Sequence, residues 1–215
     1  MRLNFILFVL MCLTAQLFGQ VEVGVKVFYS VNYGVETQKE FVSLSPLQVH
    51  NIASTRGTAK RGIGVSLYTD NAKTFLMLDG AYATSGRNFE LQSVNVSRTP
   101  LDPALEYTTE EEDLRLTAIG GFRISKFKIG VGPELSYSMT QTETLSEIDA
   151  IQAKNRNIRS GFNFLVGYEP IENVHIDLKH TYIFQGVGQE FTYQGIATDF
   201  GTNPKYIELS LGFYL

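Results

Sequence analysis

The last ten residues of the chain alternate without a break. Ile207, Leu209, Leu211, Phe213 and Leu215 interleave with Tyr206, Glu208, Ser210, Gly212 and Tyr214. Side chains on a strand point to opposite faces with a period of two, so this segment predicts a strand with one apolar and one polar face. Seven further segments repeat the pattern. Val21 to Tyr33 sets Val21, Val23, Val25, Val27, Tyr29, Val31 and Tyr33 against Glu22, Gly24, Lys26, Phe28, Ser30 and Asn32. Gly62 to Thr69, Thr74 to Ala83, Leu114 to Ile124, Phe127 to Met139, Ile158 to Glu169 and Val174 to Phe184 follow, giving eight strands.

The connections alternate in length. Asp70-Asn71, Ser125-Lys126 and Pro170-Ile171-Glu172-Asn173 read as tight turns, whereas residues 34–60, 85–112, 140–156 and 185–204 read as long loops. Each strand has roughly 10 residues, enough to cross a bilayer core at a tilt of ~45°. An even count lets the first and last strands pair antiparallel, which leaves no free edge. The pattern therefore predicts an all-β, eight-stranded antiparallel up-and-down transmembrane β-barrel. Short turns and both termini share one rim, and long loops extend from the other.

Charge placement separates this reading from a soluble barrel. The apolar faces of the eight segments carry no Asp, Glu, Lys or Arg, and Arg61, Arg156 and Lys205 share their parity only at strand ends. The opposite faces hold Lys26, Arg115, Arg123, Lys128, Arg159 and Lys179 with Glu22, Asp79, Glu134, Glu169, Asp177 and Glu208. A basic residue facing lipid at mid-depth costs about 2–4 kcal/mol, so a charge-free face is the one that meets lipid. A soluble, ligand-carrying barrel has the reverse polarity. The twelve charges are expected to form a paired network that plugs a narrow lumen, because isolated buried charge is too costly. Aromatics fall near both predicted rims: Phe122, Phe127, Tyr168 and Phe213 at the short-turn end, and Tyr29, Tyr33, Tyr82, Tyr137, Tyr182 and Phe184 at the loop end.

Composition adds the route to the membrane. The chain has 215 residues, consistent with one domain. Beyond the N-terminal segment it has no run of apolar residues long enough for a helical span. Arg2, the apolar run Phe5 to Leu13 and the stretch Thr14 to Gly19 have the form of an export signal. Residues 1–19 are expected to be removed, with Ala15 as the alternative cleavage point, leaving 20–215 as the barrel. The single cysteine, Cys12, lies inside that signal, so the mature chain carries no thiol. Losing Arg2 leaves 17 basic against 22 acidic residues, a net charge of −5, which argues against nucleic-acid partners.

On the strength of this architecture and of the terminal strand Glu208-Leu209-Ser210-Leu211-Gly212-Phe213-Tyr214-Leu215, the chain resembles the small outer-membrane β-barrel proteins of the OmpX and OmpA-barrel type. In style it is similar to the outer membrane protein β-barrel domain group that includes the PorT-like proteins. The resemblance covers roughly the whole mature chain. It implies integral placement in the cell outer membrane of a Gram-negative envelope, among lipid and lipopolysaccharide. It also implies that Leu209, Leu211, Gly212, Phe213 and Leu215 are read by the outer-membrane insertase, although Leu215 stands where the family ends on an aromatic. No periplasmic tail is expected after Leu215, so the resemblance does not imply the peptidoglycan-binding role of full-length OmpA-like proteins. PorT-like membership would imply a link to protein secretion.

Chemistry in the classical sense is sparse. His175 and His180 have odd separation on one strand and face opposite sides, and His50 lies in the first loop, so no metal site or cofactor is expected. The acidic run Glu110-Glu111-Glu112-Asp113 falls in the second long loop and reads as a solvated rim. The other reading of this run is recruitment of divalent cations that bridge lipopolysaccharide. Ser146-Glu147-Ile148-Asp149 has the form of a capping box and predicts one or two helical turns over 146–154. An enzymatic rim would need Ser, His and acid to converge, and only His50 and His180 are available as bases. The expected role is a non-enzymatic barrel that acts through its loops or its lipid-facing wall, as a structural or accessory component of an outer-membrane assembly. Loop sequence such as Phe191-Thr192-Tyr193-Gln194-Gly195 suits a protein partner and equally suits a loop that packs on itself. A small porin and a ligand-binding or adhesion barrel are the alternatives, with a lipid-modifying barrel enzyme behind them.

Overall fold

The structure, a computed structural model, describes residues 21–33, 38–44, 47–54, 59–71, 73–94, 105–139, 142–146, 151–155, 158–184, 187–193, 196–202 and 205–215. The expected export signal, Glu147 to Asp149 and Arg156 lie outside them, as does the side chain of His50. Fourteen strands occur among the described residues: β1 (Val21–Asn32), β2 (Gln38–Leu44), β3 (Leu47–Ser54), β4 (Ala59–Asp70), β5 (Thr74–Val94), β6 (Leu105–Ile124), β7 (Phe127–Ser138), β8 (Thr142–Ser146), β9 (Ile151–Asn155), β10 (Ile158–Ile171), β11 (Val174–Ile183), β12 (Val187–Tyr193), β13 (Ile196–Thr202) and β14 (Lys205–Tyr214).

Eight of them close a cylinder in the order β5-β4-β1-β14-β11-β10-β7-β6, with β6 returning to β5, every pair antiparallel. The register fixes its dimensions. One circuit of matched partners runs Val21, Thr69, Leu76, Gly120, Val131, Phe164, His180, Ile207 and back to β1 at Val31. The ten-residue displacement from Val21 to Val31 is the shear. With eight strands it sets a tilt of about 40° and a Cα radius of about 8 Å. Side chains from opposite walls meet across such a bore.

Alternation decides what fills the bore. Along β7 every second residue is buried for all twelve positions, Lys128, Gly130, Gly132, Glu134, Ser136 and Ser138 facing in. The outward positions form a continuous apolar surface: Val25 is 60% exposed, Leu116 63%, Phe122 68% and Leu209 56%. In water such a surface would be untenable; in a bilayer it is the required one. Pro133 faces outward on β7, and the β6–β7 ladder passes from Thr117–Glu134 to Gly120–Val131 across it. Proline has no N–H to donate, so the ladder skips a rung there.

The tight turns are short as expected. Ser125 (φ 55°) and Asn173 (φ 68°) take the left-handed conformation that two-residue hairpins demand. The third connection is Glu172-Asn173 alone, because β10 continues through Pro170 to Ile171 across a bulge that begins at Tyr168. In the first turn the Asn71 side-chain oxygen accepts from the N–H groups of Lys73 and Thr74.

The long connections differ from the sequence reading. β5 and β6 pair from Thr74–Phe122 as far as Leu91–Leu105, well beyond the wall, and the hairpin β2–β3 adds to the extension of β5. A second sheet, ordered β13-β12-β9-β8, comes from the third and fourth connections, with β13 touching β2 and β8 touching β6. Of the helical turns expected over 146–154, the described residues are strand, Ser146 ending β8 and residues 151–154 belonging to β9, and residues 147–150 lie outside the described residues. Segments such as Gln38–Leu44 lack a clean apolar–polar alternation, so the signal that marks a wall strand is missing there.

Candidate functional site

The interior of the barrel is where polar chemistry concentrates. Inward parity brings charges from all eight wall strands onto one axis. Among the described residues, six basic side chains (Lys26, Lys60, Arg115, Lys128, Arg159, Lys179) and six acidic ones (Asp79, Glu111, Asp113, Glu134, Asp177, Glu208) are buried. Equal numbers make the buried column neutral, which a low-dielectric interior requires.

At the short-turn mouth Arg123 reaches Asp70 and, at 2.6 Å, Glu169; these side chains are partly exposed, and Glu22 sits half-buried nearby. One layer deeper, the buried side chains of Tyr68, Phe75, His175 and Tyr214 pack together inside the bore. The His175 ring lies 4.2 Å from that of Tyr214 and 4.7 Å, edge-on, from that of Tyr68. Lys128 donates to Nδ1 of His175 at 2.8 Å, pairs with Asp177 at 3.0 Å and lies over the Tyr68 ring at 5.0 Å. Met77, Ile119 and Leu165, with no exposed surface at all, complete this floor.

The centre is a chain of ion pairs. Lys26 bonds Asp79, which also accepts from Ser66 at 2.6 Å; Tyr214 donates in turn to Ser66. Lys179 stands 3.8 Å from Asp79 and 2.7 Å from Glu208, and Arg115 meets the other Glu208 oxygen at 2.7 Å. Glu134 accepts from Asn163, whose oxygen accepts from Thr181. Above them Phe28 stacks under the Arg115 guanidinium at 4.2 Å, Lys60 bonds Asp113, and Arg159 bonds Glu111.

Of the twelve residues singled out from the sequence, nine lie in this connected interior; Arg123 and Glu169 pair at its mouth, and Glu22, half-buried beside them, has no ion pair among the described residues. Arg123 and Glu169 account for two of the twelve and Glu22 for a third, so the deep set is nine: Lys26, Asp79, Arg115, Lys128, Glu134, Arg159, Asp177, Lys179 and Glu208. The acidic run is a correction. It lies within β6 and splits by parity: Glu110 and Glu112 are exposed, while Glu111 and Asp113 enter the lumen. Strand pairing continues past the membrane band, so the run keeps alternating where a solvated loop would not. Tyr68, Met77 and His175 lie on the inward faces expected from alternation, whereas Lys60, Phe75, Ile119 and Leu165 are lumen groups that the sequence reading did not name. Parity was the available signal: Ile119 follows Arg115 and Thr117 at steps of two. Among the described residues no three potential metal ligands converge.

The terminal strand supplies both faces. Leu209, Leu211 and Phe213 point outward, while Glu208, Ser210, Gly212 and Tyr214 point inward, and β14 joins β1 to β11 at the closing seam.

No protein-family model matches the chain, and no curated protein matches it. Solved structures do. Outer membrane protein AlkL, solved in lipid bilayers, aligns over 92% of both chains with a TM-score of 0.51 at 11% identity. Neisserial surface protein A aligns over 91% of this chain and 96% of its own, with a TM-score of 0.44 at 13% identity. The attachment invasion locus protein Ail of Yersinia pestis aligns over 91% and 99%, with the same TM-score and identity. The fold is that of an outer-membrane β-barrel.

Proposed function

We propose that this protein is an integral outer-membrane barrel whose lumen is closed, and that it acts through its loop-side strands and its lipid-facing wall rather than by passing solutes through its centre. One observation carries the reading: the bore is occupied from the short-turn mouth upward by buried side chains whose charges pair and balance. A water-filled pore would leave those groups exposed. The surface left for work outside the bore includes the extended β5–β6 pair, the β2–β3 hairpin and the four-stranded sheet. These form a pleated platform suited to a protein partner in an envelope assembly. The PorT-like resemblance and its link to secretion belong to this reading, as do export by a cleaved signal, delivery by the insertase and a role without catalysis.

Planar-bilayer recording of the pure protein tests closure. A silent or briefly flickering trace is expected, and a large, steady, porin-like conductance would overturn it. Co-purification in mild detergent from native membranes tests the partner: a stoichiometric protein companion is expected, and a solitary barrel with intact loops would count against the accessory role.

A further inference from the structure

The outward wall is not uniformly covered. Across β4, β5 and β6 it carries an apolar groove of 610 Å³, bounded by Ile63, Val65, Tyr82, Leu114 and Leu116, with Gly80 at its floor. Packing does not demand a glycine there. A β-carbon placed on Gly80 would have its nearest neighbour, Cδ2 of Leu116, at 3.8 Å, ordinary contact distance. The glycine therefore holds the groove open and relieves no clash. Gly80 is six residues above Thr74, the start of β5, which at this tilt is about 15 Å from the short-turn rim. It lies in the loop-side half of an apolar band about 25 Å tall.

Directly above the groove is Arg61, two residues up β4 from Ile63, nine residues from Asp70 and so about 22 Å from the same rim. Its side chain is exposed, faces outward and has no ion pair among the described residues. The nearest outward acid in its register row is Glu112, beyond Thr84 and two strands away, and the Tyr82 hydroxyl bonds that carboxylate. A guanidinium at this depth meets headgroups, and its planar fork matches phosphate.

We infer that the Gly80 groove and Arg61 form a site for one anionic membrane lipid, an acyl chain lying in the groove and the headgroup phosphate on the guanidinium. The inference rests on the outer-membrane reading and names a partner for the wall.

The test uses the full mature barrel refolded into vesicles of phosphatidylglycerol and phosphatidylcholine with identical chains, in equal amounts. The protein is then extracted in mild detergent and its retained lipid counted by native mass spectrometry. Heat-modifiable migration first establishes that each protein has folded; failure of the wild type to insert would count against the membrane reading itself. The wild type is expected to retain one lipid, several-fold enriched in phosphatidylglycerol. Gly80→Leu should lose that lipid, and Arg61→Gln should keep a lipid but lose the anionic preference. Gly80→Ala, which only lines the floor, provides the folded control should the leucine variant fail to insert, and is expected to retain less lipid than wild type. Equal retention by the wild type and a folded Gly80 variant, or undiminished selectivity in Arg61→Gln, would overturn the inference.

Discussion

Glu208 is fully buried in the lumen, held between Arg115 and Lys179 at 2.7 Å each. Glu208→Gln preserves its shape and removes its charge, leaving two buried cations facing one another. Breaking a buried pair in this way costs about 3–5 kcal/mol. A lower urea midpoint, followed by the mobility of the folded form on gels, is the expected outcome. At Gly132 the constraint is steric. A β-carbon there would overlap the Ala118 carbonyl on the neighbouring strand, beside the rung that Pro133 leaves out of the ladder. Gly132→Ala should impair folding, whereas Gly80→Ala should leave it intact; equal folding yields for the two would refute the contrast.

The hairpin turns and the closing strand act at the scale of elements. Ser125 holds a left-handed conformation that costs a side-chain-bearing residue about 1–2 kcal/mol, and glycine removes that cost while adding freedom to the unfolded chain. Ser125→Gly is expected to raise the urea midpoint modestly and Ser125→Val to lower it. On β14 the outward Phe213 lies close to the short-turn rim, opposite Val25 of β1. Phe213→Asp places charge in the apolar row near the interface, where the equilibrium penalty is small. Its expected effect is on assembly: slower appearance of the heat-modifiable form, with near-normal stability once folded. Wild-type assembly kinetics would contradict a recognition role for this strand.

At the scale of the whole molecule, the eight-stranded wall surrounds a narrow bore with a layer of buried side chains near its short-turn end. Met77, Ile119 and Leu165 form the fully buried floor beneath the ion pairs. Shortening all three to alanine should admit water along the axis. A steady, small conductance in planar bilayers is expected from the triple variant, against a quiet wild type. If the variant folds and stays silent, the ion pairs alone close the bore.

Strand number, orientation, the lipid-facing surface and nine deep lumen charges were legible in the sequence because a strand in a bilayer must alternate. Each outward position meets hydrocarbon, so the period of two is enforced residue by residue. Val21 to Tyr33 and Tyr206 to Leu215 declare their faces without reference to any other part of the chain. The register between strands is a different matter. It depends on which hydrogen-bonded partners close the ring, and only the tertiary structure decides the ten-residue shear. That shear sets the width of the bore, places Glu208 between Arg115 and Lys179, and brings Tyr68, Phe75, His175 and Tyr214 into one layer. The strands of the long connections were also hidden, since β2, β8 and β13 lie beyond the wall, where no lipid face enforces a clean alternation. The groove at Gly80 was hidden for the same reason as the floor. A missing side chain becomes a cavity only through the large neighbours that separate strands place around it.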